Sequence, residues 1–249
     1  MNGLSFFVLD TFSNAVIDLF TQNFEKKLTP QEILEKLTKA FESRESLQQT
    51  YEKVQIIHDN EMQTLVPSAL FEEAHLSDYL KYNTKIYKTD FITYDVIQNQ
   101  DMMLVYVPFV NINNNIFERF GSFEYKHSAT VMIDKILQLE KNSEGIKVYI
   151  NVETNYFEML ILKDNVMQLF NRFEYQCKED FIYYILFTAE QLELNPELFK
   201  CILMGAVKKG DDFYSIAYKY IRNVDLLPVD KMRYTTTNST NHFALLNSF

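Results

Sequence analysis

Two short stretches carry residue types that chemistry needs. Asp10-Thr11-Phe12-Ser13 sets a carboxylate three residues from a hydroxyl, between the apolar runs of "FFVLDTFSNAVIDLF". Gly205-Ala206 closes the run "FKCILMGAV" and is followed by Lys208-Lys209. A carboxylate can hold a metal ion, glycine lets backbone N–H groups approach an anion, and lysine neutralises phosphate. Residue types alone assign neither stretch a reaction, and the remaining candidates are weaker still. His58, His75, His127 and His242 are scattered, without the spacing that sets two imidazoles on one helix face. They read as surface or capping residues, His127 as an aid to the helix entry at Ser128. A two-metal nuclease needs several converging carboxylates. Asp10 and Glu153 are one obvious member in each half of the chain, while Asp18 and Asp95 sit at alternating strand positions that read as solvent-facing. G-x-S-x-G and G-x-x-x-x-G-K-[ST] motifs are missing. No catalytic residue and no metal site is assigned.

The elements that must position these residues are legible in the pattern. Asp10 and Ser13 lie in the turn of an N-terminal hairpin, with a possible third strand at Phe24–Leu28. Thr29, Pro30 and Glu32 then form the start signal of a helix whose stripe is Ile33, Leu34, Leu37, Phe41 and Leu47. Strands follow at "KVQIIHD" and "MQTLVPSALF", a helix at "EEAHLSDYLKY", and strands at Phe91–Ile97 and Met103–Val107. "NINNNIFERFG" reads as a helix entered through Asn caps and ended by Gly121, and "SFEYKH" as a strand. An amphipathic helix over Ser128–Lys141, capped by Ser128, leads into three strands, "IKVYINVE", "YFEMLILKD" and "VMQLFNRFEY". Their joins are short enough for tight hairpins. A long helix, the strand ending at Gly205, the helix "DDFYSIAYKYI" and the apolar run "VDLLP" complete this half. After the polar stretch "YTTTNSTNH", "FALLNSF" is expected to dock as a strand or stay loose. The second half runs β-β-β-α-β-α and the first half begins the same way, which predicts mixed sheets with helices on their faces.

Composition narrows the function classes. A hydrophobic fraction of 47% supplies ample core material, and a net charge of −10 repels polyanions. Lys26-Lys27 and Lys208-Lys209 are isolated pairs and no basic stripe is evident, so no nucleic-acid partner is expected. Cys177 and Cys201 lack C-x-x-C spacing and read as two reduced, largely buried thiols. The N-terminus lacks a basic region and a small-residue cleavage site, and no window approaches a membrane span. A soluble, cytoplasmic protein without membrane insertion is the expectation.

The chain resembles the domain-of-unknown-function family 3822 of Bacteroidetes and, more widely, the actin-like ATPases. The residues that carry this are the hairpin "LSFFVLD…AVIDLF", "TLVPSALF" before a helix ending "YLKYN", and "VYVPF…IFERFGSFEYKHSA" leading into the Ser128 helix. The resemblance implies a duplicated ribonuclease H-like α/β fold: one half at residues 1–127, a linker helix at 128–144 and a second half at 145–249, each with a mixed sheet and flanking helices. In active relatives the first phosphate turn reads Asp-x-Gly-(Thr/Ser). Asp10 and Ser13 match, but Phe12 replaces Gly. The second turn begins Asp-x-Gly, where this chain has Asn151-Val152-Glu153, and a glutamate beside a triphosphate repels it. The adenosine Gly-Gly becomes Gly205-Ala206. The chain has 5 glycines against about 17 at average usage, too few to build phosphate cradles freely. The favoured expectation is a non-catalytic actin-like scaffold or protein-binding module with no cofactor, whose partner and oligomeric state the sequence does not name. Tyr214, Tyr218 and Tyr220 are candidates for a contact surface. The alternative is a weak Mg-ATP-binding protein using Asp10, Ser13, Gly205 and Lys208.

Overall fold

Residues 3–228, Tyr234 and residues 242–249 are described by the computed structural model. The chain divides into two units, Met1–Asp134 with Ala244–Phe249, and Lys135–Phe243.

In the first unit, β1 (Gly3–Asp10) and β2 (Ala15–Asn23) form an antiparallel hairpin. Helix α1 (Pro30–Ser43) starts as predicted: the Thr29 hydroxyl accepts the Glu32 N–H while the Glu32 carboxylate accepts the Thr29 N–H at 2.8 Å. Phe24–Leu28 is not a strand. Five residues separate the end of β2 from the Thr29 cap, too few both to turn and to pair, so Phe24 and Leu28 are spent packing under α1. Ile33, Leu37, Ala40 and Phe41 are buried and Leu34 half-buried, which turns the stripe slightly from the predicted face.

Strand β3 (Gln55–His58) is followed by an insertion with its own small core. It comprises β4 (Gln63–Pro67), α2 (Leu76–Leu80), β5 (Thr93–Ile97) and β6 (Met102–Tyr106), with strand order β4-β6-β5. Val66, Leu80, Val105 and Val107 form its centre, and Ile86 and Ile92 pack against them. Helix α3 (Val110–Phe120) then returns the chain to β7 (Glu124–His127), which pairs in parallel with β3. Gly121, at φ 77°, ends α3 as expected. The Asn run does not cap it: the cap position is Phe109, drawn into the cluster under α1, while Asn111 reaches the Pro30 carbonyl and Asn113 reaches His58.

Helix α4 (Ser128–Leu139) leads out of the first unit. The second unit holds one five-stranded mixed sheet of β8 (Ile146–Val152), β9 (Tyr156–Lys163), β10 (Val166–Glu174), β11 (Lys200–Gly205) and β12 (Asn223–Leu226). The strand order is β10-β9-β8-β11-β12, antiparallel through the meander and parallel from β8 to β12. Asp164 and Asn165, both at positive φ, make the tight β9–β10 turn that their types predict. Helices α5 (Lys178–Gln191) and α6 (Asp212–Tyr220) bury Phe181, Ile185 and Ala217 against Ile150, Phe157, Met159 and Leu203. The order β-β-α-β-α-β of the first unit, with its insertion removed, recurs here with one strand added to the meander. The first unit pairs the matching strands as two ladders, β1–β2 and β3–β7, and its β3 is four residues long against six in β11.

"FALLNSF" is neither a strand nor loose among the described residues. Phe243–Leu246 form a short helix, α7, and the Phe249 ring meets Phe7 edge-on at 5.6 Å. Residues 235–241 of the preceding polar stretch lie outside the described residues.

Candidate functional site

The first turn is closed by its own residues. Asp10 Oδ1 accepts the Phe12 N–H at 2.9 Å, and Oδ2 accepts the Ser13 hydroxyl at 2.5 Å. The structure thus brings Asp10 and Ser13 together, with each carboxylate oxygen facing the turn. The Ser13 hydroxyl and then the Phe12 N–H hold the Asp10 carboxyl below the usual carboxylate range. Asn14, at φ 56°, takes the left-handed position, and the Phe12 side chain projects from the tip, fully exposed.

The second turn, between β8 and β9, is tied to Tyr156 at the start of β9 and to Tyr175 just past the end of β10. Glu153 N–H donates to the Tyr156 carbonyl, the Tyr175 N–H to the Asn155 carbonyl at 3.1 Å, and the Tyr175 hydroxyl to the Glu153 carbonyl. Burial, and then the nearby Glu153 charge, push the Tyr175 phenol up to about 12, so it remains a donor. Asn151 donates to the buried Glu158 carboxylate at 3.0 Å. These residues act as a sheet does: cross-strand pairs that satisfy a buried polar group.

Gly205 has a packing reason to be glycine. Its φ is +85°, and a Cβ there would lie 2.2 Å from the Val152 carbonyl oxygen and 2.7 Å from Asn151 Oδ1. The next N–H, of Ala206, donates to that Val152 carbonyl at 2.7 Å. Lys208 follows in the exposed connection to α6, where its N–H donates to Asp211 Oδ2 at 2.7 Å. Asp211 also accepts the Tyr214 N–H and so caps α6.

The buried polar network that sequence reading missed lies at the start of α4. Asp95 is not solvent-facing. It accepts the His127 N–H at 2.8 Å, the Thr130 hydroxyl at 2.7 Å and the Tyr106 hydroxyl at 3.2 Å. Burial raises its carboxyl, and the three donors oppose that rise. His127 does fix the helix entry: Nδ1 accepts the Ala129 N–H at 3.1 Å, which leaves Nε2–H to the Asn60 carbonyl at 3.2 Å. Ser128 Oγ is buried without a hydrogen-bond partner among the described residues, so the expected Ser128 cap is replaced by Asp95 and His127. The available signal was the aspartate in β5, but only the pairing of β5 with β6 and the approach of α4 make it a cap. Of the thiols, Cys201 is buried, its pKa pushed up to about 12 by desolvation, whereas Cys177 is exposed, contrary to expectation. Among the described residues no three His, Cys, Asp or Glu side chains are grouped to hold a metal ion, and no helix is long and apolar enough to cross a membrane.

The sequence matches the family described as "Protein of unknown function (DUF3822)" over residues 1–224. No curated protein matches. Among solved structures, the chain is similar to a Bacteroides thetaiotaomicron protein with actin-like ATPase fold and unknown function. The TM-score is 0.80 at 20% identity, covering 91% of this chain and 87% of that one. It is also similar to a chain of a PilM–PilN type IV pilus biogenesis complex, with a TM-score of 0.64 at 10% identity, covering 98% and 94%. At these identities the likeness shows the fold, and the fold is actin-like.

Proposed function

Because the chain belongs to the domain-of-unknown-function family 3822 and has the actin-like ATPase fold, we propose that it is a non-catalytic protein-binding module that uses no nucleotide. The observation that carries this is the closed first turn. The carboxylate that would face a metal ion accepts the Phe12 N–H and the Ser13 hydroxyl, the same groups that a phosphate turn would direct at its ligand. The residues present do not fit Mg-ATP: Phe12 and Glu153 stand where glycine is needed, and the space beside Gly205 is filled by β8. A protein partner is supported by the PilM–PilN structure, in which a protein of this fold is found in a complex. The recurring element order supports residues 1–127 and 145–249 as related halves joined through 128–144. The unpaired thiols Cys177 and Cys201 support a cytoplasmic site of action.

Thermal unfolding in the presence of Mg-ATP tests the reading. A ligand at about 100 times its dissociation constant stabilises by about 2.7 kcal/mol, a shift easily seen, and none is expected here. Micromolar stabilisation by Mg-ATP that Asp10→Ala abolishes would replace this reading with the weak ATP-binding one.

A further inference from the structure

The insertion between β3 and β7 presents a surface that stands out from the charge of the chain. Residues 81–91 carry Lys81, Lys85 and Lys88 against the single carboxylate of Asp90, in a protein of net charge −10. Spaced four and three residues apart, the lysines do not read as a basic run, which hid them from sequence inspection. Lys81 is paired with Asp78 at 3.0 Å. Lys85 and Lys88 have no carboxylate partner among the described residues. Aromatic rings alternate with the lysines on the same segment: Tyr82, Tyr87 and Phe91 are 84%, 60% and 51% exposed. Lys85 Nζ lies 5.2 Å from the Tyr87 ring centre and Lys81 Nζ lies 5.1 Å from that of Tyr82, so the charges are already set beside apolar faces.

This segment is held in shape. Ile86 and Ile92 are anchored in the core of the insertion. Tyr87 N–H donates to Asp90 Oδ2 at 2.8 Å and Asp90 N–H to the Tyr87 carbonyl at 3.0 Å, closing a turn that carries Lys88. Asn83 Nδ2 donates to Thr64 Oγ1 on β4 at 3.0 Å. A surface whose backbone is already ordered loses less entropy when a partner binds. Large aromatics exposed together on one segment are costly to hydrate and are enriched at recognition sites, and the lysines beside them, well hydrated on their own, add charge selectivity.

We propose that the 81–91 segment is a docking surface for an acidic protein segment bearing aromatic or large aliphatic side chains, with Lys85 and Lys88 meeting its carboxylates and Tyr82, Tyr87 and Phe91 its apolar groups. This rests on the protein-binding reading above and names its surface and the chemistry of the partner. A protein segment fits better than a nucleic acid or an anionic membrane. Those extended polyanions would also face the net negative charge of the rest of the chain, whereas a short acidic segment is screened from it beyond a Debye length of about 8 Å.

The test uses the full chain and a fluorescein-labelled synthetic peptide, Asp-Phe-Glu-Tyr-Asp-Glu-Phe-Leu-Asp-Glu, followed by anisotropy. Saturable binding is expected, weakening as salt rises and falling at least about tenfold in K85E/K88E, a loss of about 1.4 kcal/mol. Y87A/F91A should weaken binding comparably, and circular dichroism checks that it is folded. K85E/K88E alters exposed groups without a carboxylate partner and keeps the test valid if Y87A/F91A does not fold. A neutral counterpart peptide, with Asn for each Asp and Gln for each Glu, should bind at least about tenfold more weakly. Absence of saturable binding, or equal binding by K85E/K88E, overturns the proposal, as does tighter binding of oligothymidine or phosphatidylserine vesicles than of the peptide. Mg-ATP stabilisation of the wild type is measured in parallel. Its appearance would remove the non-nucleotide reading whatever the peptide does, whereas peptide failure without it removes only this surface.

Discussion

Gly205 and His58 show how much of this molecule turns on single atoms. A methyl group at Gly205 would overlap the backbone of Val152, and φ +85° is itself unfavourable for an L side chain. Gly205→Ala is expected to destabilise by at least about 1–3 kcal/mol, measured by urea unfolding, with no dependence on added nucleotide. His58 is buried between the Phe109 and Tyr125 rings, with Nε2 against Asn113 Oδ1 at 2.9 Å. Burial depresses its imidazole to about 4, opposed in part by Asn113. The unfolded chain binds the proton more readily, near pH 6.5, so this contribution is complete above that value. It should be lost progressively as pH falls from about 6.5 towards 4, by up to about 3 kcal/mol. Unfolding free energies measured across that window should fall less steeply in His58→Phe. A wild-type curve no steeper than that of the variant would show that His58 is not the titrating group.

At the scale of elements, α4 depends on a residue from another part of the chain. Asp95 reaches it from β5, and Asp95→Ala would leave the His127 N–H and the Thr130 and Tyr106 hydroxyls without their acceptor. Each buried orphan costs about 1–3 kcal/mol. The expected loss in thermal or denaturant unfolding is therefore well above the effect of an exposed strand substitution, and a change below about 0.5 kcal/mol would contradict the capping role. The start of α1 is local by contrast. Thr29, Pro30 and Glu32 are contiguous in sequence, so the capping box could be read directly, whereas the Asp95 cap spans more than thirty residues. The Asn run before α3 misled for the same reason: burial of Phe109 places the cap, and the asparagines bond to distant groups.

For the whole molecule, an in-line phosphoryl transfer needs the metal and both phosphate turns together. Restoring glycine at one turn leaves Asn151 and Glu153 at the other. Phe12→Gly is therefore expected to release no phosphate from Mg-ATP above background in a colorimetric assay. Turnover by this single variant would mean that the second turn is competent as it stands.

Periodicity, start signals and turn types in the sequence determine the β-β-β-α-β-α order of the second half, the α1 cap and the Asp164-Asn165 hairpin, because each depends on interactions a few residues long. The missing glycines at Phe12 and Glu153 are likewise plain in the sequence, since a side chain is present or it is not. Tertiary structure alone decided that Phe24–Leu28 packs instead of pairing, that Asp95 is half-buried and caps α4, and that Gly205 is required by Val152. It also set Lys85 beside the exposed Tyr87 ring on an anchored loop. These outcomes rest on burial and on contacts between residues far apart in the chain, which no local pattern encodes.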